Sequence, residues 1–360
     1  MVEVYFATNR RPNRQNGPTD FTSEFTPDIN SFRVGTGTVE GNNLFEQDVD
    51  VLAERATISV EPERMNAEDA RASRVGSDVV FSRIRERMKA GADAILAIHG
   101  YNYTFRQAVA RAAQLGQWLA PEASDMRGER PEPPVMLLFS WPSRGEGVTP
   151  RLYDDERARA RASGEALGRA ILKATDFLRA IKREDRCDGS IHLLAHSMGN
   201  WALRGAVQYM KTFVGENIPP LFDEVILIAA DEDDDTLGQG YKLAPLLRGS
   251  RRVTVYYNHQ DWALKASDWA MGNPDRLGRS GPKGAAGVPV KVEPVNVSRK
   301  ILWDAPAGEK WQEDDTGHQY YRNNPRVRLD LLDVLDGVDA RLIAGRQPAE
   351  DGGGFVLVDR

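Results

Sequence analysis

Short apolar runs alternate with amphipathic stretches along most of this chain. The runs are rich in Val, Ile and Leu, which is typical of strands buried on both faces of a sheet. They cover residues 2–8, 94–100, 135–141, 190–196, 224–230, 252–258 and 290–297. Amphipathic periodicity predicts helices over residues 105–119 and 155–182, from residue 198 to Phe213, and over 324–343. This alternation predicts the α/β class, with a mostly parallel central sheet covered by helices on both faces.

The polar segments between these elements indicate the domain organisation. We expect a single domain over residues 1–345, with a polar region of loops and short strands at 9–60 and a long insertion loop, rich in Gly and Pro, at 267–289. Residues 346–360 then form a C-terminal tail. This tail is either a flexible end or an added edge strand.

The acidic run from Asp231 to Asp235 has the alternate carboxylates of a calcium loop. Thr236 and Lys242, however, stand where such a loop needs glycine and glutamate. We therefore predict a solvated helix start in this run. No cluster of His, Cys and Asp has the spacing of metal ligands, so we expect neither a metal nor a cofactor.

The sequence HLLAHSMGN places a serine where an apolar strand ends and a helical pattern begins. Ala195 and Gly199 stand two residues before and two residues after Ser197. A strand that turns sharply into a helix leaves room only for small flanking residues, and it holds the serine above the sheet at the helix N-terminus. The helix dipole and the backbone N–H groups there favour the negative charge that forms in acyl transfer. Ser197 is therefore the candidate nucleophile.

A serine nucleophile needs a base, and the chain offers five histidines. His99 and His192 fall within strands, and His196 adjoins the serine but points away from it. His259, at the end of a strand, reads as a structural or rim residue. His318 lies in a glycine-marked loop between the last strand and the closing helix, and it is the candidate base.

The base needs an acid that orients it, and two aspartates compete for this role. Asp261 follows the strand at 252–258 and completes the chain order Ser, Asp, His that is typical of α/β-hydrolases. Asp231, at the end of the preceding strand, is the alternative. Asp261 is the preferred candidate.

The loop after the strand at 94–100 offers an oxyanion hole. We expect the backbone N–H of Tyr101 to be one donor and that of Met198 to be the second. The side chain of Asn102 is placed to orient this loop, and His99 is expected to anchor it by hydrogen bonding.

Composition limits the classes of partner. The 360 residues include 47 basic and 53 acidic side chains, a net charge of −6 that argues against a nucleic-acid or anionic-membrane surface. A single cysteine rules out an internal disulfide framework. The first residues lack the pattern of a signal peptide, and no apolar run is long enough to span a bilayer, so we expect a soluble cytoplasmic protein. The oligomeric state is left open.

Several blocks of sequence occur together in a fixed order over roughly residues 5–335: VYFATNR, LAIHGYNYTFRQAV, LLFSWPS, HLLAHSMGNWALR, IAADEDDDTL, YYNHQDWALKAS and GHQYYRNNPRV. In these blocks the chain resembles a bacterial esterase/lipase-like α/β-hydrolase family of largely uncharacterised members. The resemblance implies an α/β-hydrolase fold and a triad of Ser197, Asp261 and His318. It implies a substrate class no sharper than esters.

These observations together predict a serine hydrolase that cleaves a small-molecule carboxylic ester through an acyl-enzyme. Two alternatives stay open at this stage. One is an acyltransferase or amidase on the same triad, which differs only in the nucleophile that resolves the acyl-enzyme. The other is a non-catalytic binding module on the hydrolase scaffold.

Overall fold

The computed structural model of the protein describes residues 1–14, 17–61, 76–121, 132–147, 149–180, 189–238, 240, 242–272, 274–284, 289–299 and 316–358. Most strands in this part of the chain join one large sheet, and β2 and β3 form a separate pair. The strands are β1 (Val2–Thr8), β2 (Arg10–Pro12), β3 (Phe21–Phe25), β4 (Arg33–Val39), β5 (Thr57–Val60), β6 (Ala94–Ile98), β7 (Val135–Ser140), β8 (Ile191–His196), β9 (Phe222–Ile228), β10 (Ser250–Tyr257), β11 (Val292–Asn296), β12 (Arg346–Pro348) and β13 (Phe355–Leu357).

The large sheet has the order β12-β13-β11-β10-β9-β8-β6-β7-β1-β4-β5. Its centre, from β1 to β11 in this order, is parallel, and β13 continues it in parallel beside β11. The antiparallel pairs lie toward the two edges, where β4 joins β1 and β5, and β12 joins β13. All carboxyl ends of the central strands therefore meet at one edge of the sheet, which is where open α/β sheets place their ligand sites.

Helices cover both faces of this sheet. They are α1 (Val49–Arg55), α2 (Gly76–Lys89), α3 (Phe105–Trp118), α4 (Pro150–Ala162), α5 (Gly164–Ala180), α6 (Gly199–Val214), α7 (Trp262–Met271), α8 (Leu277–Ser280), α9 (Tyr320–Asn323) and α10 (Pro325–Leu335). Apolar side chains of α2, α4, α5 and α6 share one core with one face of the strands. Those of α1, α3 and α10 share a second core with the opposite face. The predicted α/β class, with a mostly parallel sheet between two helical layers, is confirmed.

The single helix predicted over residues 155–182 is wrong, because the chain forms α4 and α5 with a break between them. Ser163 ends α4, and its N–H and Oγ both donate to the carbonyl of Arg159. Gly164 then lies against Gly205 of α6, so closely that a Cβ on Gly164 would lie 2.4 Å from the Gly205 backbone. The amphipathic periodicity runs across the break because both helices bury a face against α6.

The closing helix predicted over 324–343 is shorter and ends at Leu335. Gly337 takes a φ of +71°, its N–H donates to Val334, and the N–H of Val338 donates to Asp333. This is a Schellman ending, in which glycine adopts the left-handed conformation that stops the helix. Beyond the helix the chain forms turns, from which Val338 and Ile343 pack into the second core.

The insertion predicted at 267–289 as one long loop is also corrected. Its first residues complete α7, and residues 277–280 form the short helix α8. The acidic run at 231–235, predicted as a solvated helix start, is not helical: Asp233 forms an isolated antiparallel bridge with Arg276, and residues 234–235 lie in a turn. Glu232 in this run is fully buried. Its carboxylate pairs with Arg204 of α6 at 2.9 Å, and its backbone carbonyl accepts the N–H of Leu277 of α8.

Both ends of the chain contribute to the large sheet. In the region 9–60, predicted as loops and short strands, β4 pairs with β1 along its whole length. The C-terminal segment, whose two open alternatives were a flexible end and an edge strand, forms β12 and β13, with β12 at the edge. The division into a domain at 1–345 and a tail remains a prediction. In the part of the chain that the structure describes, no helix combines the length and the apolar character needed to cross a bilayer.

Candidate active site

Ser197 stands on a strained turn between β8 and α6. Its φ of +52° lies in the left-handed region that non-glycine residues rarely occupy. Its N–H donates to Ile228 of β9 at 3.0 Å, which ties the turn to the neighbouring strand. A Cβ on Gly199 would lie 2.6 Å from the carbonyl oxygen of His99, so only glycine lets α6 begin this close to the end of β6. The turn therefore has the geometry of a nucleophile elbow.

The structure brings Ser197, His318 and Asp261 into one hydrogen-bonded chain. The Nε2 atom of His318 lies 2.8 Å from the Oγ of Ser197, and its Nδ1 lies 2.6 Å from the Oδ2 of Asp261. All three side chains are buried, Asp261 completely. A carboxylate only accepts hydrogen bonds, so the Nδ1 of His318 donates to Asp261 and its Nε2 is left to accept from the serine hydroxyl.

Two loops hold the acid and the base against each other. Asp261 caps the N-terminus of α7, where its Oδ1 accepts the N–H of Leu264 at 2.9 Å. The side chain of Asn258, at the end of β10, donates to the carbonyl of Gly317 beside the base. The N–H of Trp262 donates to Thr316, so both sides of Asp261 are linked to the histidine loop. Because one oxygen of Asp261 caps α7 while the other contacts Nδ1 of His318, the two contacts together orient the carboxylate toward His318.

His196 packs directly against the base. Its ring lies 4.9 Å from that of His318 and 4.6 Å from that of Tyr321, between centroids, and its Nε2 is 3.3 Å from the carbonyl oxygen of His318. Burial and, to a smaller extent, the charge of His318 lower the pKa of His196 well below its usual value. A neutral His196 therefore adds no charge beside the base. Sequence reasoning placed this side chain away from Ser197 but did not find its contact with His318.

The loop after β6 lies beside the elbow. A Cβ on Gly100 would lie 3.0 Å from the Cβ of Ser197, so Gly100, the residue before Tyr101, lies next to the serine. Met198 immediately precedes α6, where backbone N–H groups lack intrahelical acceptors. Both residues predicted as oxyanion donors thus lie at the elbow, and their role as donors remains a prediction.

Asn102 fixes this loop in a conformation with a φ of +65°. Its N–H donates to the Oγ of Ser143 at 2.9 Å, and its Oδ1 accepts the N–H of Gly147 at 2.8 Å. The hydroxyl of Tyr101 also donates to the carbonyl of Gly147. Ser143 in turn donates to the buried Glu156 of α4, so the loops after β6 and β7 form one hydrogen-bonded unit.

His99 anchors the same loop and is unsuited to proton transfer. Its Nδ1 lies 2.8 Å from the carbonyl oxygen of Gly100, and its ring stacks on Trp141 with centroids 5.2 Å apart. Burial, followed by the charge of the buried Arg10, lowers the pKa of His99 to about 3. The imidazole thus stays neutral at physiological pH.

Asp231, the alternative acid, lies beside the elbow without reaching the base. Its N–H donates to the carbonyl of Ser197 at 3.2 Å. Its carboxylate accepts the hydroxyl of Tyr153 at 2.5 Å and that of Ser267 at 3.2 Å, and it lies 3.8 Å from Arg276. Within the described part of the chain, His318 is not among the hydrogen-bond or ion-pair partners of Asp231. Of the two aspartates, the structure places Asp261 against His318.

Several supporting residues could not be predicted from the sequence, because they contact residues that lie far away along the chain. Asn258, Tyr153 and Ser267 are examples. The one local indication was the Asn-x-x-Asp spacing of Asn258 and Asp261 after a strand. The described residues contain no group of His, Cys, Asp and Glu side chains that could hold a metal ion.

The sheet order, the two helical layers and the elbow define an α/β hydrolase. Comparison with protein families agrees: the model of the family described as "Alpha/beta hydrolase of unknown function (DUF900)" matches residues 79–335, a range that includes Ser197, Asp261 and His318. The chain belongs to this family. A largely uncharacterised α/β-hydrolase family is what the resemblance in the sequence implied. Comparisons with curated proteins and with solved structures found no match.

Proposed function

We propose that this hydrolase scaffold carries a serine esterase that cleaves carboxylic esters through an acyl-enzyme. The observation that supports the proposal is the continuous chain from the Oγ of Ser197 through His318 to Asp261, with distances of 2.8 and 2.6 Å. These distances lie within the range that proton transfer requires. The serine also stands at a helix N-terminus, where the field favours an anion.

The reaction follows from these positions in two steps. In the first, the Oγ of Ser197 attacks the ester carbonyl carbon while the Nε2 of His318 accepts the serine proton. The carbonyl oxygen becomes an oxyanion that the N–H groups of Met198 and Tyr101 bind, and Asp261 stabilises the imidazolium. The tetrahedral intermediate collapses when His318 protonates the departing alkoxide. In the second step, water attacks the acyl-enzyme with His318 again as base, which releases the acid and restores the serine.

The test is covalent labelling with a fluorophosphonate, followed by hydrolysis of p-nitrophenyl esters with rising acyl length. We expect wild-type protein to be labelled and to turn over esters, and Ser197→Ala to fold but do neither. Ser82→Ala, at a partly buried serine of α2, is the matched control and should be labelled like the wild type. EDTA in the assay should change neither result.

Labelling retained in Ser197→Ala would contradict the assignment of the nucleophile. Added alcohol or amine distinguishes the ester hydrolase from an acyltransferase, because a transferase forms the new ester or amide in place of the free acid. Turnover of amides in preference to esters would indicate an amidase. Absence of both labelling and turnover would favour a binding module.

A further inference from the structure

An apolar cavity of about 80 Å³ lies between the sheet and the helices α2 and α5. Ile84 and Met88 of α2, Ile171 and Ala174 of α5, and Phe139 of β7 are among its walls. The cavity is large enough for several water molecules, but its walls offer them almost no hydrogen-bond partners. Cavities of this character stay dry and accept hydrocarbon.

This cavity is separate from the candidate active site. It reaches Ala94, Ile191 and Phe222, the first residues of β6, β8 and β9. Ser197 lies beyond the opposite, carboxyl end of β8. None of the proposed triad or oxyanion residues lines the cavity, so a ligand here would leave the catalytic groups uncovered.

Arg85 is the one charged residue among the described residues that line the cavity. Its side chain is 23% exposed, and one terminal nitrogen donates to the exposed Glu86 at 3.0 Å. Its Nε, in contrast, is buried and has no hydrogen-bond acceptor among the described residues. An arginine that merely covers apolar surface with its stem keeps its polar head in water. Arg85 instead carries an unused, buried N–H at the wall of a hydrocarbon-like space.

Arg83, two residues earlier on the same helix, shows the ordinary arrangement. Its side chain is 49% exposed, pairs with Glu61 at 2.9 Å and does not line the cavity. The difference between the two arginines follows from the helical repeat, which turns position 85 toward the cavity wall and position 83 toward solvent. Arg83 is thus a matched control for Arg85.

We infer that this cavity is a binding site for a short-chain aliphatic monocarboxylic acid such as butyrate, whose alkyl chain is small enough for a space of about 80 Å³. The alkyl chain occupies the apolar space between α2 and α5, and the carboxylate accepts hydrogen bonds from the guanidinium of Arg85. The planar guanidinium carries only hydrogen-bond donors, and a carboxylate offers only acceptors in a matching geometry. The site is independent of the proposed esterase activity, since it uses none of the same residues.

The first test is calorimetric titration of the full-length protein with sodium butyrate. We expect saturable binding of one butyrate to each chain at this site. Arg85→Gln should weaken it by about tenfold or more, because the charge-assisted hydrogen bonds are lost. Arg83→Gln should bind butyrate like the wild type. 1-Butanol should bind more weakly than butyrate, and Arg85→Gln should not change its affinity. Equal affinity of Arg85→Gln and wild type for butyrate would overturn the role of the carboxylate.

The second test locates the bound chain by NMR of methyl-labelled methionines. Met88 lines the cavity, and Met198 adjoins the candidate nucleophile. We expect butyrate to shift the Met88 resonance and to leave that of Met198 unchanged. Ala174→Phe, which fills the cavity from α5, should abolish the Met88 shift. A shift at Met198 alone, or binding that survives in folded Ala174→Phe, would overturn the site, as would no binding of butyrate to the wild type.

Discussion

At the residue scale, the candidate site depends on a few side chains held in uncommon states. The backbone of Ser197 is held in a left-handed conformation, because its N–H donates to Ile228 of β9 and its carbonyl accepts hydrogen bonds from Asn200 of α6. Asp261 and His318 are buried and polar, and each is fixed by loop contacts as well as by its partner. Such states cost folding free energy, and proteins retain them where function requires preorganised groups.

The two aspartates near the elbow should respond differently to the same substitution. Asp261→Asn keeps the size of the side chain but no longer stabilises an imidazolium at His318. Ester turnover should therefore fall by roughly a thousandfold or more with the fold retained. Asp231→Asn instead weakens contacts to Tyr153 and Ser267, and it should lower the free energy of unfolding by about 1 kcal/mol with little change in kcat. Steady-state kinetics and urea unfolding of both variants test this. The reverse pattern would move the acid to position 231.

Glu232 should make the stability depend on pH. Burial outweighs the favourable charge of Arg204 and raises the pKa of Glu232 to about 7. The folded state then holds this proton more tightly than the unfolded state, so the free energy of unfolding falls as pH rises from about 4.5 to 7. Glu232→Gln removes this dependence. The variant should match the wild type at pH 5 and exceed its stability at pH 8, by at most about 3 kcal/mol.

Urea unfolding at the two pH values checks this expectation. Glu216→Gln, on an exposed residue that pairs with Lys211, is the control and should show the same difference from wild type at both. An equal difference for Glu232→Gln at pH 5 and pH 8 would mean that Glu232 is ionised throughout in the folded protein.

At the scale of elements, glycine decides how closely α5 and α6 approach. Gly205 lies in the middle of α6, against Arg161 and Gly164 at the junction of α4 and α5. A Cβ there would lie 2.6 Å from the carbonyl oxygen of Arg161. This close contact positions α6, the helix whose N-terminus carries Met198 and Ser197. The break between α4 and α5 is therefore part of the support for the elbow.

Replacing this glycine should destabilise the protein although alanine favours helices. Gly205→Ala forces two backbones apart, and we expect a loss of about 2–3 kcal/mol in the free energy of unfolding after the gain in helix propensity. Gly116→Ala, in the last turn of α3, is the control, because there the nearest atom is the Cγ of a flexible side chain, Met136, at 2.7 Å. This control should lose much less. Thermal or urea unfolding of both variants measures the difference, and similar values would argue against the helix contact.

At the scale of the whole molecule, the two ends of the chain close the sheet at its opposite edges. β4 and β5 extend it beyond β1, and β12 and β13 extend it beyond β11. The C-terminal strands are held by a buried ion pair, in which Arg346 of β12 makes two hydrogen bonds to Asp330 of α10 at 2.7 and 2.8 Å. Tyr256 of β10 donates to the same carboxylate. The last strands are thus joined to the centre of the fold.

Breaking this ion pair should destabilise the whole chain. Arg346→Met leaves the charge of Asp330 buried without its partner, which typically costs about 3–5 kcal/mol. The double variant Asp330→Leu with Arg346→Met removes both charges and should recover part of this loss. Unfolding monitored by circular dichroism tests the series. Wild-type stability in Arg346→Met would show that this ion pair contributes little to the stability of the fold.

The sequence by itself determined the features that depend on neighbouring residues. Apolar runs predicted the central strands, because a strand buried on both faces needs an unbroken apolar stretch. The elbow at Ser197 was readable because its small flanking residues lie within two positions of it. His318 and Asp261 followed from their places after particular strands, and their assignment as base and acid remains a proposal.

Only the tertiary structure decided the features that depend on contacts between distant residues. The break at Ser163 interrupts no hydrophobic pattern, because α4 and α5 both face α6. The sequence of the acidic run at 231–235 indicates a solvent-exposed segment. In the folded chain, Arg204 and Arg276 from other parts of the sequence form ion pairs with it. Asp261 and Asp231 have similar positions after adjacent strands, and only the loop that carries His318 distinguishes them. Local periodicity indicates which face of an element is buried. The tertiary structure determines which other element covers that face.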